Sequence, residues 1–214
     1  MTAPSGPSSA PAAQDDDPGR SRKSTRRRGA ALTQAIYQAT FEEIDDVGFE
    51  GLAFDKIAPR AGTGKSALYR RWRTPTELVL DALSDPVAGF GKPIVPDTGS
   101  LRGDLIALLG AFAHVLDEPR GRALRFLIIQ RTHNHELHQR VRELVMLPNR
   151  QILLSLLGAA VERGEADPAC LTPRVASVGP RMILTESMDT GTVTEAEVQA
   201  IVDEVLLPLT APRR

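Results

Sequence analysis

Apolar residues recur at helical spacing along most of the chain, and this pattern predicts an all-α fold. The first predicted helix covers about residues 29–47, and its apolar stripe consists of Ile36, Tyr37, Phe41, Ile44 and Val47. Eight further helices are predicted at about residues 54–61, 65–72, 75–83, 101–115, 124–129, 137–161, 172–188 and 195–208. No segment shows the alternation of a half-buried strand, so we expect about nine helices and no sheet.

Glycine and proline mark where the first helices end and begin. Gly48 is in the place of the left-handed residue that commonly follows a last helical turn. A tight turn is predicted at Gly62-Thr63-Gly64, between the second and third helices. Thr74, Pro75 and Glu77 predict the start of the fourth helix, because Thr74 can cap it, Pro75 suits its first position and Glu77 completes a capping box.

Other stretches interrupt the helical pattern. Residues 1–19 are of low complexity and are expected to be disordered, and the Gly- and Pro-rich residues 85–99 are typical of a linker. Two prolines fall inside predicted helices. Pro59 implies that the second helix begins later than residue 54 or is distorted, and Pro148 should kink or split the seventh.

Positive charge is concentrated in one part of the chain, although the net charge is only −1. Residues 20–73 contain twelve Lys/Arg and six Asp/Glu, a balance of +6, whereas residues 74–214 contain fourteen and eighteen, a balance of −4. Residues 1–19 contribute −3. Six of the cations lie in RSRKSTRRR at 20–28, which we interpret as a flexible basic arm. Such a distribution is typical of a protein that binds a polyanion.

The composition indicates a globular protein of the cytoplasm. With 214 residues, of which 42% are hydrophobic, the chain can bury a core in one large domain or two small ones. No apolar run reaches the ~18 residues that a membrane-spanning helix needs, and the N-terminus lacks the basic head and apolar stretch of a secretory signal. A single cysteine, Cys170, excludes an internal disulfide and fits a reducing compartment. We therefore expect a cytoplasmic protein that does not bind membranes.

The third predicted helix has the composition of a helix that reads DNA. It carries Lys65, Ser66, Tyr69, Arg70 and Arg71 within about two turns, and an apolar second helix precedes it across the glycine turn. A short helix dense in donors and cations, held at an angle by an apolar partner helix, fits the major groove of duplex DNA. The pattern therefore predicts a helix-turn-helix unit.

The same stretch resembles the DNA-binding domain of the TetR (tetracycline repressor) family of bacterial transcriptional regulators. Four pieces match in order and spacing, namely the apolar first helix, GFEGL at 48–52, IAPRAGTGKSALYRRW at 57–72 and TPTEL at 74–78. The resemblance implies a homodimer on a palindromic operator in double-stranded DNA, which a small-molecule effector releases. It divides the chain into a disordered, basic-ended arm (1–25), a helix-turn-helix domain (26–86), and a helical regulatory and dimerisation domain (87–214).

By position, the resemblance assigns DNA contacts to the third helix and its flanks. They are Thr63, Gly64, Lys65, Ser66, Ala67, Tyr69, Arg70, Arg71 and Thr74, with Arg26, Arg27 and Arg28 from the basic arm. Lys65 and Ser66 would face the groove, Ala67 suits a thymine methyl, and Arg70 or Arg71 suits a phosphate or a guanine. The arm can track the backbone or enter the minor groove. Leu68 and Trp72 are expected to pack inward.

Besides Pro59, two positions depart from the family pattern. The family often has Ser or Thr as the cap of the second helix, where this chain has Ala53, so the cap and its phosphate contact are lost or come from elsewhere. The family commonly has Lys where this chain has Pro75, so backbone donors at the start of the fourth helix must bind that phosphate.

The C-terminal half is expected to hold the effector pocket and the dimer interface. The location of the pocket in the family suggests as lining residues Phe112, His114, Phe126, Gln130, Met146, Leu153, Met182 and Glu186. Aromatic residues are few, at 4%, which disfavours a stacking cage for a flat ligand. The last two helices, within 172–208, should form the dimer because their apolar residues exceed what the interior of one small domain requires. These residues are Val175, Val178, Ile183, Val198, Ile201 and Val205.

Two small groups of residues allow other interpretations. The histidines at 133, 135 and 138, with Glu136, suggest a metal site, but a surface or pocket-lining role is favoured because no cysteine or second carboxylate cluster lies nearby. Cys170 has no adjacent cation, which favours an inert thiol over a redox sensor.

Two other classes of function compete with the repressor. An enzyme is disfavoured, because the sequence offers no nucleophile with a plausible base, no paired carboxylates and no cofactor fingerprint. GTGKS at 62–66 is not a P-loop, since Pro59 takes the place of the required glycine and the preceding segment is helical. We therefore expect no catalytic residue, cofactor or metal. An activator, or a DNA binder without a ligand, is not distinguishable from a repressor by sequence.

Overall fold

The computed structural model of the chain describes residues 18–91, 95–129 and 135–212, with the backbone alone described at 18–28 and 129. These ranges contain nine helices and no strand, as predicted. The helices are α1 (Pro18–Val47), α2 (Phe54–Arg60), α3 (Lys65–Tyr69), α4 (Pro75–Ser84), α5 (Leu101–Asp117), α6 (Pro119–Ile129), α7 (His135–Glu162), α8 (Val178–Thr190) and α9, which joins Glu195–Ala200, Ile201–Leu206 and Leu207–Thr210.

The first helix is longer than predicted and the third is shorter. Helix α1 begins at Pro18, so residues 20–28 continue it instead of forming a flexible arm. Arg and Lys are good helix formers, and extending an existing helix avoids the cost of a new nucleus. Helix α3 ends at Tyr69, after which the amides of Arg71 and Trp72 both donate to the Leu68 carbonyl, at 2.8 and 3.0 Å. The chain therefore turns tightly before α4.

Two clusters of buried side chains hold the helices together. The first core joins α1–α4 to α6 and the beginning of α7, and includes Phe41, Ile57, Leu68, Leu78, Leu124, Leu127, Val141 and Val145. The second core joins α5, the end of α7, α8 and α9, and includes Leu105, Leu109, Leu157, Ile183 and Val202. Because the first core crosses the predicted domain boundary at residue 86, helices α1–α4, hereafter the reading head, are built directly onto α6 and α7.

Prolines inside helices α2 and α7 are accommodated without a break. Helix α2 begins at Phe54 as predicted and ends at Arg60, so Pro59 removes one backbone donor from its last turn. Helix α7 forms a wide π-helical turn at Arg142–Met146 and continues through Pro148, so it is not split. A proline ring clashes with the carbonyl four residues earlier, and a wider turn relieves that clash.

The segment predicted as a linker is held at its beginning. The Asp85 carboxylate accepts hydrogen bonds from the amides of Val87 and Ala88, at 2.9 and 2.8 Å, and from Gln34 of α1 at 3.1 Å. These hydrogen bonds lower the pKa of Asp85, although burial alone would raise it. Arg120 Nη1 of α6 donates to the Gly89 carbonyl at 2.9 Å. The chain leaving α4 is therefore tied to both α1 and α6.

Helix α7 is the one helix among the described residues that is long and apolar enough to span a membrane by length and composition. The same properties suit the central helix of a folded domain. Val141 and Val145 lie in the first core, and Leu153 and Leu157 lie in the second. Helix α7 thus connects the two cores.

Candidate functional site

The glycine turn and one buried leucine set the orientation of α3. Gly62 has a positive φ of 65°, which a residue with a side chain adopts only with strain. The amides of Gly62 and Thr63 donate to the carbonyls of Pro59 and Ala58, at 3.0 and 2.9 Å, and close the turn. Leu68 is fully buried in the first core. One side of α3 is therefore fixed inward, and the opposite side faces solvent.

Asp81 of α4 fixes the end of α3. Its Oδ2 atom accepts hydrogen bonds from Tyr37 Oη of α1 at 2.7 Å and from Trp72 Nε1 at 2.8 Å. The rings of Tyr37 and Trp72 meet edge to face, with centroids 6.0 Å apart. Burial, followed by the hydrogen bond to Asp81, raises the pKa of Tyr37 well above its ordinary value. Trp72 packs inward as predicted, and its position is set by both packing and a polar contact.

An ion cluster fixes α2 against α1. The buried Glu43 lies 3.1 Å from Arg60 Nη2 and 3.7 Å from Lys56 Nζ, and Arg60 also lies 2.6 Å from Asp46 Oδ2. A buried carboxylate needs such partners because it has lost its hydration. The cluster also places cations of α2 against acidic groups of α1, which offsets the negative charge of α1.

Most residues predicted to contact DNA lie on the solvent side of α3 and its flanks. The exposed ones are Gly64, Lys65, Ser66, Tyr69, Arg70, Arg71 and Thr74, while Thr63 and Ala67 are half-buried. Tyr69 is 60% exposed, and its ring rests edge to face on Phe54 at 4.9 Å. Lys65 Nζ lies 2.7 Å from Asp55 Oδ2 in an exposed ion pair, which a competing phosphate can break at little cost.

The two arginines to which the family resemblance assigns one role have different environments in the structure. Arg71 donates a hydrogen bond to Thr33 Oγ1 of α1 and lies over the Trp72 ring, 5.9 Å from its centroid. Among the described residues Arg70 has no ion-pair partner, and it is exposed. Arg70 is therefore the arginine that is available to a ligand, whereas Arg71 ties the end of α3 to α1. The side chains of Arg26, Arg27 and Arg28 lie outside the described residues.

Helices α2 and α4 begin in different ways. Thr74 Oγ1 accepts from the Glu77 amide at 3.1 Å, so the predicted cap is confirmed, whereas Glu77 Oε2 accepts from the Arg73 amide at 2.7 Å and not from that of Thr74, as a capping box would require. The Thr74 hydroxyl still has its own proton to donate. Ala53 gives α2 no side-chain cap, as expected, and only its carbonyl takes part, accepting from Lys56 and Ile57.

A cavity of about 280 Å³ lies between the two cores. Phe90, Leu124, Ile128 and Val145 line it from the first core, and Leu108, Leu109, Phe112, Leu153 and Leu184 line it from the second. Its polar lining residues are Arg142, Asn149, Arg150, Ser177 and Arg181. A mainly apolar cavity with a few polar groups is typical of a small-molecule site.

Three of the eight residues predicted for the pocket line this cavity, namely Phe112, Met146 and Leu153. His114 is exposed and lies 3.6 Å from Glu118, and Phe126 packs under Gly48. Met182 and Glu186 do not line the cavity, because α8 turns Pro180, Arg181 and Leu184 toward it instead. Gln130 lies outside the described residues. The sequence therefore predicted which helices line the cavity, but not which face of α6 and of α8 is turned toward it.

Neither of the smaller groups of residues forms a reactive centre in the described ranges. No three His, Cys, Asp or Glu side chains there are placed to hold a metal ion, and His133 lies outside those ranges. Cys170 is buried, and its burial together with Asp167 raises the pKa of the thiol. A raised pKa lowers the thiolate fraction and so makes the sulfur less reactive.

Both halves of the chain match known families. The family described as bacterial regulatory proteins, tetR family, matches residues 36–82, which contain α2, α3 and most of α4. The family described as tetracyclin repressor-like, C-terminal domain, matches residues 95–205, which contain every residue that lines the cavity except Phe90. The two matches thus cover most of the reading head and most residues that line the cavity.

Relatives of similar length support the match. An uncharacterised helix-turn-helix transcriptional regulator of Mycobacterium tuberculosis is 27% identical, with 81% of this chain and 85% of that protein aligned. A DNA-binding transcriptional repressor of Mycobacteroides abscessus, named TetR, is 28% identical over 86% of this chain and 97% of its own length. The crystal structure of the TetR-family regulator SCO0332 superposes with a TM-score of 0.61 at 28% identity, covering 85% of this chain and 99% of that protein. The chain belongs to the TetR family of bacterial regulatory proteins.

Proposed function

We propose that the chain is a homodimeric, cytoplasmic repressor that binds a palindromic operator through α3 and leaves it when a small molecule fills the cavity. Regulation of transcription through DNA binding follows from the family. The solvent side of α3 is the proposed contact surface, and one observation supports this proposal. There Ser66, Tyr69 and Arg70 are exposed while Leu68 and Trp72 are locked into the first core. The proposal includes no catalytic step.

In the proposed complex, α3 lies in the major groove with its N-terminal end toward the bases. Lys65 and Ser66 supply donors to base edges, and Ala67 is small enough to contact a thymine methyl. Tyr69 and Thr74 donate to phosphates, as do the backbone amides at the start of α4 in place of the missing lysine. Arg70 binds a guanine or a phosphate.

A homodimer is proposed because two reading heads on successive major grooves require a fixed separation. The sequence argument for the interface needs correction, since Ile183, Val198 and Ile201 are buried in the second core of the same chain. The large apolar side chains that α8 and α9 leave exposed are Met188 and Leu209, at 52% and 49%. The proposed interface therefore uses the outer faces of these helices, and light scattering at micromolar concentration should give the mass of a dimer.

Helix α6 is the proposed connection between the cavity and the reading head. Leu124 and Ile128 line the cavity, while Phe126 packs under Gly48 and Arg122 Nε donates to Asp45 of α1 at 2.7 Å. A ligand that separates α6 from α5 would therefore move α1 and the rest of the head. The ligand favours a state whose two heads no longer match the operator.

A solved protein of the same fold provides an example of both activities. The structure of AibR contains isovaleryl coenzyme A and operator DNA, and it superposes on this chain with a TM-score of 0.57 at 17% identity. At that identity only the fold is shared. We infer from AibR only that a protein of this fold can bind both an effector and an operator.

Selection of genomic fragments by the full-length protein tests the proposal. The expected result is enrichment of one palindrome whose half-sites are separated by about one helical turn, or a multiple of it. The Arg70→Ala variant should enrich it weakly or not at all, while Arg174→Ala, on an exposed turn outside the reading head, should behave as wild type. Selection without any common palindrome would contradict the proposed mode of binding. A reporter behind the operator then separates repression from activation.

A further inference from the structure

Among the described residues, the polar lining of the cavity carries positive charge without any negative charge. Arg142 and Arg150 of α7 and Arg181 of α8 are among the lining residues, and no Asp or Glu is. The remaining polar lining residues are Asn149 and Ser177, whose side chains already donate to the carbonyls of Val145 and Pro173. Asn149 and Ser177 therefore offer a ligand little that would compete with the three guanidinium groups.

These arginines differ from most others in the same half of the chain. Arg122 lies 2.7 Å from Asp45, Arg120 lies 2.7 Å from Glu118, and Arg140 lies 3.2 Å from Glu143. Within the described ranges, none of the three cavity arginines forms an ion pair with a carboxylate of the chain. Arg142 and Arg150 are eight residues apart, about two helical turns or ~12 Å along the helix axis. Met146 and Asn149 lie between them on the same side of α7.

The other walls of the cavity are apolar. Phe90 from the turn after α4, Leu108 and Phe112 from α5, and Leu124 from α6 present carbon surface, and the volume is about 280 Å³. That volume is just below the ~300–1,000 Å³ that small-molecule sites usually have. An alkyl chain or a single small ring fits such a space, whereas a large flat ligand does not.

We infer that the cavity binds an anionic amphiphile, with an apolar body among these leucine and phenylalanine side chains and a carboxylate or phosphate group bound by Arg142, Arg150 and Arg181. Guanidinium groups bind both anions through paired, charge-assisted hydrogen bonds. Arg142 and Arg181 are exposed and Arg150 is half-buried, so their guanidinium groups stay hydrated until an anion binds beside the apolar wall. The inference rests on the proposed function, because it names the chemical class of the effector of that same site.

Calorimetric titration of the full-length protein with matched octyl compounds tests the inference without DNA. Octanoate and octyl phosphate should bind, octanol should bind at least tenfold more weakly, and octylamine should not bind measurably, because the cavity repels a cation. The ratio of the octanoate and octyl phosphate affinities tells which anion the arginines prefer. Shorter and longer carboxylates, all below their micelle concentrations, determine the chain length that the cavity accommodates.

Substitution of each arginine tests whether it binds the anionic group. Arg142→Gln, Arg150→Gln and Arg181→Gln should each weaken the binding of the anions about tenfold or more and leave that of octanol within twofold. Arg174→Gln, an exposed arginine close to the cavity that does not line it, is the matched control and should change neither. A circular dichroism spectrum and a thermal midpoint equal to those of wild type show that each variant is folded.

The outcomes separate this inference from the proposed function. If no anion of the series binds, or if octanol binds as tightly as octanoate, the inference is wrong. It is also wrong if the glutamine variants bind the anions as wild type does. If the anions bind as expected but leave operator affinity unchanged, the ligand class stands and the proposed release mechanism fails.

Discussion

The carboxylate of Asp81 joins three parts of the reading head at one point. It accepts hydrogen bonds from Tyr37 of α1 and from Trp72, which directly follows the last turn of α3. Both rings were predicted to pack inward, Tyr37 from the apolar stripe of α1 and Trp72 from the family resemblance. It did not predict their shared acceptor, since Asp81 is 44 residues from Tyr37 and helical periodicity carries no information about contacts at that separation.

Removing this acceptor should destabilise the protein and disorder the end of α3. In Asp81→Ala the half-buried donors of Tyr37 and Trp72 lose their partner, at a cost of about 1–3 kcal/mol in the free energy of unfolding. Urea unfolding, followed by the fluorescence of the only tryptophan, Trp72, measures the loss. Asp117→Ala, at the exposed end of α5, is the control and should stay within ~0.5 kcal/mol of wild type.

The same contact predicts how stability depends on alkaline pH. The pKa of Tyr37 is raised in the folded protein, by burial first and by the hydrogen bond to Asp81 second. Its contribution to stability is therefore complete below the ordinary tyrosine pKa of about 10 and is lost as the pH rises above it, because the unfolded chain ionises first. Urea unfolding between pH 8 and 11 should show a steeper decline for wild type than for Tyr37→Phe. Parallel curves would contradict this account.

Arg70 and Arg71 are neighbours in sequence with different environments, and their alanine variants should differ accordingly. Arg70→Ala should weaken operator binding tenfold or more at unchanged stability, because Arg70 is exposed and unpaired among the described residues. Arg71→Ala removes the contacts to Thr33 and Trp72, so it should lower the thermal midpoint and affect DNA binding less directly. Gel shifts and thermal unfolding of both variants compare the two effects. Equal losses of affinity at equal stability would mean that α3 docks differently.

At the scale of the element, a helix start marked by local capping chemistry was more predictable than the faces that helices present, whereas the start of α1 and the end of α3 were not predicted. Thr74 and Pro75 defined the start of α4, because capping and proline chemistry are local. On α8 the residues expected at the pocket were Met182 and Glu186, whereas Arg181 and Leu184 line it. A helix that packs on two sides has apolar residues all around, so periodicity alone does not determine which side faces a cavity.

The contact between α1 and α6 depends on the absence of a side chain at Gly48. Gly48 has a φ of 73°, and a Cβ atom there would lie 2.7 Å from Phe126 Cζ. Gly48→Ala should therefore have a lower free energy of unfolding for two reasons. Alanine adds ~1–2 kcal/mol of strain in the left-handed conformation, and its Cβ atom disturbs the packing of Phe126. Gly164→Ala is the matched control, since Gly164 has a φ of 77° and nothing lies near its Cβ position. Urea unfolding should give the larger loss for Gly48→Ala, and equal losses would show that Phe126 yields freely.

At the scale of the molecule, the reading head and the C-terminal helices α5–α9 are one packed unit with a cavity at their junction. Leu124 and Val145 contribute to the first core and also line the cavity, so filling the cavity acts directly on the core of the head. This arrangement was not predictable from the sequence, which placed a boundary at residue 86. Composition and turn signals mark where the chain is exposed along its length, whereas the sharing of a core by α1 and α6 depends on contacts between distant residues.

Charge also acts at the scale of the molecule, and it leads to a prediction about salt. The chain has a net charge of −1, yet residues 20–73 have a net charge of +6. Six of the twelve cations in that range lie in residues 20–28. Because these residues continue α1, they extend the head as a helical rod with fixed spacing between its charges. Each phosphate that a cation neutralises contributes about −0.9 to the slope of log affinity against log salt.

Replacing Arg26, Arg27 and Arg28 with glutamine should therefore make that slope shallower by about 2–3 if all three contact phosphates. Affinity should fall at low salt and approach that of wild type as salt increases, since the lost contacts are screened in any case. Glutamine forms helices nearly as well as arginine, so the rod itself should persist. Fluorescence anisotropy on operator DNA across a salt series measures the slope, with Arg174→Gln as the control. An unchanged slope would mean that the basic residues lie away from the duplex and that the contacts come from α3 and α4 alone.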